Sequence, residues 1–151
     1  MGRVVFIPWN KFQNAEEFAG YVTNWNSANT HSNHQWTTVT WRANTAAPSI
    51  SNLSFGSTIR IIVHSNPGCH KIFCDLQGGN PLTYETVCDR LIASGLSRTF
   101  AGTIDCHSCS SGVPSLGSQS FAAKVAMYLR LNGYAMVSVA VLTVNRASPP
   151  S

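Results

Sequence analysis

The chain has 151 residues, of which 44% are hydrophobic and 11% are charged, and it carries a net charge of +4. This length is typical of one domain with its own core, so we expect a single domain over 1–151. The ten lysines and arginines are scattered singly, which excludes the clustered basic stripe of a nucleic-acid-binding surface.

The first part of the chain, 1–57, predicts a strand, a helix and a second strand. The apolar run Arg3–Ile7 predicts the first strand. Asn14 is a suitable N-cap for a helix of about three turns. Its apolar stripe consists of Phe18, Tyr21, Val22 and Trp25. Alternation over 36–41 predicts the next strand, and 48–56 is expected to be a connection without regular structure.

The second part, 58–144, predicts strands that alternate with helices. Segments 58–64 and 100–105 are nearly continuous apolar runs, which is typical of central strands covered on both faces in a parallel sheet. The remaining expected elements are a short strand over 71–76, helices over 83–94 and 119–132 that end at Gly95 and Gly133, and a strand over 134–144. This alternation predicts a three-layer α/β/α sandwich with a mostly parallel central sheet.

Reactive side chains follow the two central strands. His64 ends the first, and Cys109 lies near the end of segment 102–112, GTIDCHSCSSG. Ligands of such sheets bind at the carboxyl ends of strands, where a histidine can move protons for a cysteine thiolate that attacks a carbonyl group. The expected oxyanion or substrate loop comprises Ser65, Gly68, Ser110, Ser111 and Gly112. Cys106 is the rival nucleophile, because it also ends an apolar run.

These segments, in the order IIVHSNPG, TYETVCDRLIASGL, IDCHSCSSG and SFAAKVAMYLRLNGY, resemble the core of the caspase-like cysteine peptidases of clan CD. The resemblance covers roughly 58–144 and is closest to the self-cleaving domains of large bacterial toxins. It implies a caspase-like fold and a bacterial hydrolase, as an autoprocessing or effector domain, that cleaves a peptide or protein substrate. The toxin-type domains bind an inositol phosphate in a basic cleft, but the lysines and arginines of this chain are scattered singly, and we expect no cofactor. By the same resemblance Cys109 is the nucleophile and His64 the base or orienting residue. Ser65 stands where the family usually has glycine.

Two other classes of function stay open beside the peptidase, and so does a catalytically inactive relative that binds or regulates. A structural zinc ion could be held by a set drawn from Cys69, His70, Cys74, Cys106, His107 and Cys109. A binding module could use the aromatic first part, with Trp9, Trp25, Trp36, Trp41, His31 and His34. Asp75 and Asp105 could favour a basic substrate side chain or could be ordinary surface acids.

The five cysteines and the two ends of the sequence bear on location. An odd number of cysteines excludes a complete disulfide framework within one chain. The start lacks the apolar segment of a signal peptide, and no apolar run reaches the roughly 18 residues of a membrane span. We expect a soluble protein with no membrane partner, either cytoplasmic or exported without a signal peptide. The final residues, ASPPS, are typical of a linker and agree with a domain of a longer polypeptide.

Overall fold

The chain combines parallel strands with helices, as the sequence predicts. The computed structural model describes residues 2–9, 16–29, 31, 35–43, 45–53, 56–65, 71–73, 81–107 and 121–142. In chain order the elements are β1 (Arg3–Ile7), α1 (Glu16–Ala28), β2 (Thr37–Thr40), α2 (Pro48–Ser51), β3 (Thr58–Ile62), β4 (His64–Ser65), β5 (Lys71–Phe73), β6 (Leu82–Thr83), α3 (Tyr84–Ala93), β7 (Thr103–His107), α4 (Phe121–Leu131) and β8 (Ser138–Leu142). In the described ranges, no helix is both long enough and apolar enough to cross a membrane.

A five-stranded sheet in the order β2-β1-β3-β7-β8 forms the centre of the fold. Each pairing between its described strands is parallel. The β-branched runs of β1 and β3 occupy its middle, and the last four residues of both strands are buried. The chain adds β2 on one side of β1 and then returns to add β3, β7 and β8 on the other. The strand order therefore reverses between β1 and β3, and the carboxyl ends of parallel strands at such a point are the usual ligand-binding edge.

A second, three-stranded sheet of β4, β5 and β6 follows β3, and all of its pairings are antiparallel. The sequence predicts one strand over 58–64, and the predicted end of that strand is wrong. The strand in the large sheet ends at Ile62, and after Val63 the chain enters β4. Val63 is as buried as the residues before it, so the apolar run passes the change of sheet without interruption. Hydrophobicity alone cannot reveal which sheet a buried strand residue joins.

The start of α3 and the ends of α3 and α4 agree with their capping signals, while Asn14, the expected N-cap of the first helix, lies outside the described residues. Thr83 is the N-cap of α3, and its hydroxyl accepts a hydrogen bond from Thr86 N at 3.3 Å. Gly95 and Gly133 follow α3 and α4 with φ of +108° and +92°, a conformation that favours glycine. The predicted connection over 48–56 instead contains α2, which begins at Pro48 because proline tolerates the first helical turn.

Three predicted strands begin or end at different residues in the structure. The strand expected over 36–41 is shorter at both ends as β2. The one expected over 100–105 starts and ends later as β7, and the one expected over 134–144 starts later as β8. Phe100 and Tyr134 are buried in the connections before β7 and β8, where apolar side chains join the core without strand pairing. The Tyr134 hydroxyl also donates a hydrogen bond to Leu96 O at 2.8 Å. Strand β5 covers the start of segment 71–76, whose remainder lies outside the described residues.

Candidate active site at the carboxyl edge of the parallel sheet

Strands β3 and β7, which precede the two candidate catalytic residues, are neighbours in the sheet. The register pairs of these strands run from Thr58 with Thr103 to Ile62 with His107. In every pair the two residues are 45 apart in sequence. The expected dyad of His64 and Cys109 has the same separation in sequence. His64 is two residues beyond Ile62 in the sequence, and Cys109 is two residues beyond His107. The described pairs of β3 with β7 end at Ile62 and His107, and His64 itself belongs to β4.

Several of the expected site residues lie outside the part of the chain that the structure describes. These are Gly68, Cys109, Ser110, Ser111 and Gly112. His64 and Ser65 are described as the two residues of β4. The structure thus brings the strand before Cys109 beside the strand before His64.

The backbone at His64 is held by the second sheet. His64 pairs with Phe73 and Ser65 pairs with Ile72, while Lys71 and Ile72 pair in turn with β6. Strand β6 ends at Thr83, which is also the N-cap of α3. The antiparallel pairing of β4, β5 and β6 therefore connects the start of α3 to the segment that follows β3. The residue expected to contribute to a substrate loop, Ser65, is therefore part of a regular ladder.

Cys106, the rival nucleophile, lies inside the core. It pairs with Ile61 on one side and with Val141 on the other, and none of its surface is exposed. Burial, with a further contribution from Asp105, raises the pKa of the Cys106 thiol to about 12. A thiol with such a pKa is protonated at neutral pH, and only a thiolate attacks well. Cys106 in this position is suited to packing.

The centre of the same two strands holds a buried ion pair that the sequence analysis did not identify as important. Arg60 and Asp105 are register partners, and Arg60 Nη2 donates to Asp105 Oδ2 at 3.2 Å. The exposed fractions of the two side chains are 6% and 14%. A signal was present, because arginine in the apolar run TIRII is unusual for a strand buried on both faces. Its partner was not identifiable without the strand pairing.

The Arg60 guanidinium lies in an aromatic environment. It is 4.5 Å from the ring centroid of Trp36 and 5.4 Å from that of Trp25, distances typical of cation–π contacts. No group in the described part of the chain accepts a hydrogen bond from Arg60 Nε or Nη1. Burial lowers the pKa of Arg60, and its attraction to Asp105 opposes that shift. Asp105 thus binds an arginine of its own chain, and Asp75 lies outside the described residues.

The zinc and aromatic alternatives gain no support from the described residues. Among the described residues, no three His, Cys, Asp or Glu side chains lie together as a metal site would require. The remaining candidate ligands Cys69, His70, Cys74 and Cys109 lie outside those residues. Trp25 and Trp36 are only 1% and 7% exposed, and Trp9 is fully buried and stacks on Phe18. These three rings pack in the core and offer little surface to a ligand. Of the other residues named for a binding module, Trp41 is partly buried, His31 is exposed and His34 lies outside the described residues.

Comparison of the chain with protein-family models, with curated proteins and with solved structures gave no match.

Proposed function

We propose that this chain is a caspase-like cysteine endopeptidase in which Cys109 is the nucleophile and His64 moves the protons. The observation that carries the proposal is the constant separation of 45 residues between register partners of β3 and β7. That separation equals the one between His64 and Cys109. A catalytic histidine and cysteine must approach within hydrogen-bond reach of each other or of the same substrate atoms. Because β3 and β7 are adjacent strands, the segments that carry His64 and Cys109 follow neighbouring strands of the sheet.

A three-layer arrangement of the proposed fold is supported by contacts on the two faces of β3. Successive strand residues point to opposite faces, so Arg60 and Ile61 lie on different sides of the sheet. The Arg60 guanidinium packs on Trp25 of α1. Cys106, the partner of Ile61, and Cys88 of α3 are both fully buried in the same hydrophobic core. These positions support a sheet with α1 on one face and α3 on the other.

The proposed reaction begins with attack of the Cys109 thiolate on the carbonyl carbon of a peptide bond. Backbone N–H groups of Ser110, Ser111 and Gly112 donate to the oxyanion that forms. The tetrahedral intermediate collapses to a thioester, and His64 gives a proton to the departing amine. Water then attacks the thioester carbon while His64 takes its proton, and cleavage of the C–S bond releases the acid and restores Cys109.

The assignment of the nucleophile to Cys109 instead of Cys106 follows from their surroundings. Cys106 is opposite Ile61 in the interior, and burial keeps its thiol protonated. Cys109 is followed by Ser110, Ser111 and Gly112, small residues that let a substrate approach the backbone. A reactive cysteine needs both access and a means of losing its proton.

A catalytically inactive regulatory relative is the second candidate, and Ser65 is the observation that favours it. Ser65 lies in β4 and pairs with Ile72, at the position where the resembling family usually has glycine. A residue held in a ladder has less freedom to approach a substrate than a glycine loop has. Under this alternative the site binds a peptide without cleaving it.

Labelling with a peptidyl acyloxymethyl ketone or iodoacetamide, followed by mass mapping, distinguishes these candidates. The proposed enzyme is expected to be modified at Cys109 first, with Cys88 and Cys106 modified slowly because both are buried. His64→Ala is expected to lower the Cys109 rate by roughly 100-fold or more, the usual contribution of a positioned general base.

The matched control is His31→Ala, which changes an exposed histidine elsewhere in the chain. It is expected to leave the Cys109 rate unchanged. Uniform slow labelling of every thiol in the wild-type protein would contradict the proposed dyad. Labelling that is equal in the His64→Ala and wild-type proteins would also contradict it.

A further inference from the structure

The outer face of α4 carries apolar side chains that the core does not bury. Met127, Leu131 and Met136 are 40%, 78% and 55% exposed, and they are the large hydrophobic side chains that stay exposed among the described residues. Met127 and Leu131 are four residues apart, so they lie one turn apart on the same face of the helix. Met136 follows α4 after the turn at Gly133. Single exposed apolar side chains are ordinary, but a stripe of them along a helix is typical of a docking surface.

Positively charged side chains flank this stripe. Lys124 is three residues before Met127 and Arg130 is three residues after it, which places the two cations on opposite sides of the stripe. The side chain of Arg98 packs at the end of α4, because a Cβ on Gly133 would lie 3.6 Å from Arg98 Cδ. Within the described part of the chain, none of these three cations forms an ion pair with a carboxylate. The α4 face is therefore apolar in its middle and positive at its rim; it comprises Arg98, Lys124, Met127, Arg130, Leu131 and Met136.

Two tyrosines beside the α4 face give this region the composition of a protein interface. The Tyr128 hydroxyl donates to Asp89 of α3 at 2.6 Å, and the Tyr128 ring meets Tyr84 edge to face with centroids 6.0 Å apart. Lys124 Nζ lies 5.5 Å from the centroid of the Tyr84 ring. These contacts hold both rings in place before any partner arrives, so little side-chain entropy is lost on binding. Tyrosine, methionine and arginine are the types enriched where proteins meet.

The charge of the chain indicates which partner fits the α4 face. All three charged residues after Asp105 are basic, and the whole chain carries a net charge of +4. A two-fold contact between the α4 faces of two copies would bring their cations together, which is repulsive. We infer that the α4 face docks an amphipathic helix of another protein, with aspartates and glutamates flanking its apolar stripe. That helix packs its apolar residues on Met127 and Leu131, and its carboxylates meet Lys124 and Arg130. This docking does not depend on the proposed peptidase activity.

Two synthetic helical peptides test this docking. Both carry leucines at positions i, i+3, i+4 and i+7, and the flanking positions are glutamate in one peptide and lysine in the other. Fluorescence anisotropy measures the binding of each peptide to the whole chain. We expect the glutamate peptide to bind at least about 10-fold tighter than the lysine peptide, because the flanking charges change from attractive to repulsive. The double variant Lys124→Glu, Arg130→Glu is expected to invert this preference, and Leu131→Ser to weaken the glutamate peptide by roughly 10-fold.

Arg42→Glu is the matched control for the single variant Arg130→Glu, because Arg42 is an exposed arginine after β2 and both variants change the net charge equally. We expect Arg130→Glu to weaken the glutamate peptide by about 3- to 10-fold and Arg42→Glu to leave its affinity unchanged. Equal losses in the two variants, or equal affinity of the wild type for the two peptides, would overturn the inference. So would either of two other occupants. A second copy would appear as a dimer in sedimentation velocity, and a membrane as binding to phosphatidylglycerol vesicles, each removed by Leu131→Ser.

Discussion

Replacement of Asp105 by leucine alone is expected to lower the free energy of unfolding by about 3 to 5 kcal/mol. The variant leaves the Arg60 guanidinium buried beside Trp25 and Trp36 with its partner carboxylate removed. Nη2 would join Nε and Nη1 as donors that the described groups do not satisfy. A buried charge without a partner is among the few causes of such large single-residue effects.

Urea unfolding followed by tryptophan fluorescence measures this effect, because two of the indole rings contact the guanidinium. Addition of Arg60→Met to the Asp105→Leu variant is expected to recover most of the lost stability. Glu85→Leu serves as the control, since Glu85 is an exposed acid in the first turn of α3, and it should change stability by about 1 kcal/mol or less. A loss of similar size in the control and in Asp105→Leu would show that the pair is not buried as described.

The free energy of unfolding is expected to decrease steeply as the pH rises above 9. Burial raises the pKa of both the Cys88 and the Cys106 thiols above the ordinary value near 9, that of Cys106 to about 12. Between pH 9 and about 12, Cys106 has lost its thiol proton in the unfolded chain and has kept it in the folded chain. Because the unfolded state binds fewer protons, stability decreases with pH, by about 1.4 kcal/mol per pH unit for each thiol. Below pH 9 both states hold the proton, and this contribution is fully present.

Comparison of wild type with Cys106→Ala isolates the contribution of one thiol. The variant is expected to be less stable at pH 7, because it leaves a small cavity, but to have a shallower decrease between pH 9 and 11. Tyr128, whose pKa is also raised to about 12 by its hydrogen bond to Asp89, is present in both proteins and does not affect the difference. Equal slopes in the two proteins would show that Cys106 is not buried as a neutral thiol.

Much of the fold could be predicted from local pattern. The apolar runs that contain β3 and the start of β7 indicated central strands, and Thr83 with Gly95 marked the limits of α3. These signals succeed because apolar runs and capping residues are local features of the sequence. The strand over 58–64 was predicted too long because the change of sheet at Val63 depends on pairing with β5, a distant segment.

The candidate site was less accessible to sequence reasoning. The sequence located His64 and the segment that contains Cys109, but it could not show that β3 and β7 pair with a separation of 45. The same limitation hid the Arg60–Asp105 pair, since each charge alone resembles an isolated polar residue in a strand. It also left Cys106 and Cys109 as rivals, because the burial of Cys106 depends on side chains from other elements. Contacts between distant segments decide all three points.

The dependence of the Cys109 alkylation rate on pH, measured by mass mapping in wild type and in His64→Ala, tests the proposed dyad most directly. A thiolate stabilised by a nearby imidazolium forms well below pH 8.5, approximately where an unperturbed cysteine ionises. The account predicts a wild-type rate that reaches half its maximum at least about one pH unit below the value for His64→Ala. Superimposable profiles with midpoints near about pH 8.5 in both proteins would contradict it.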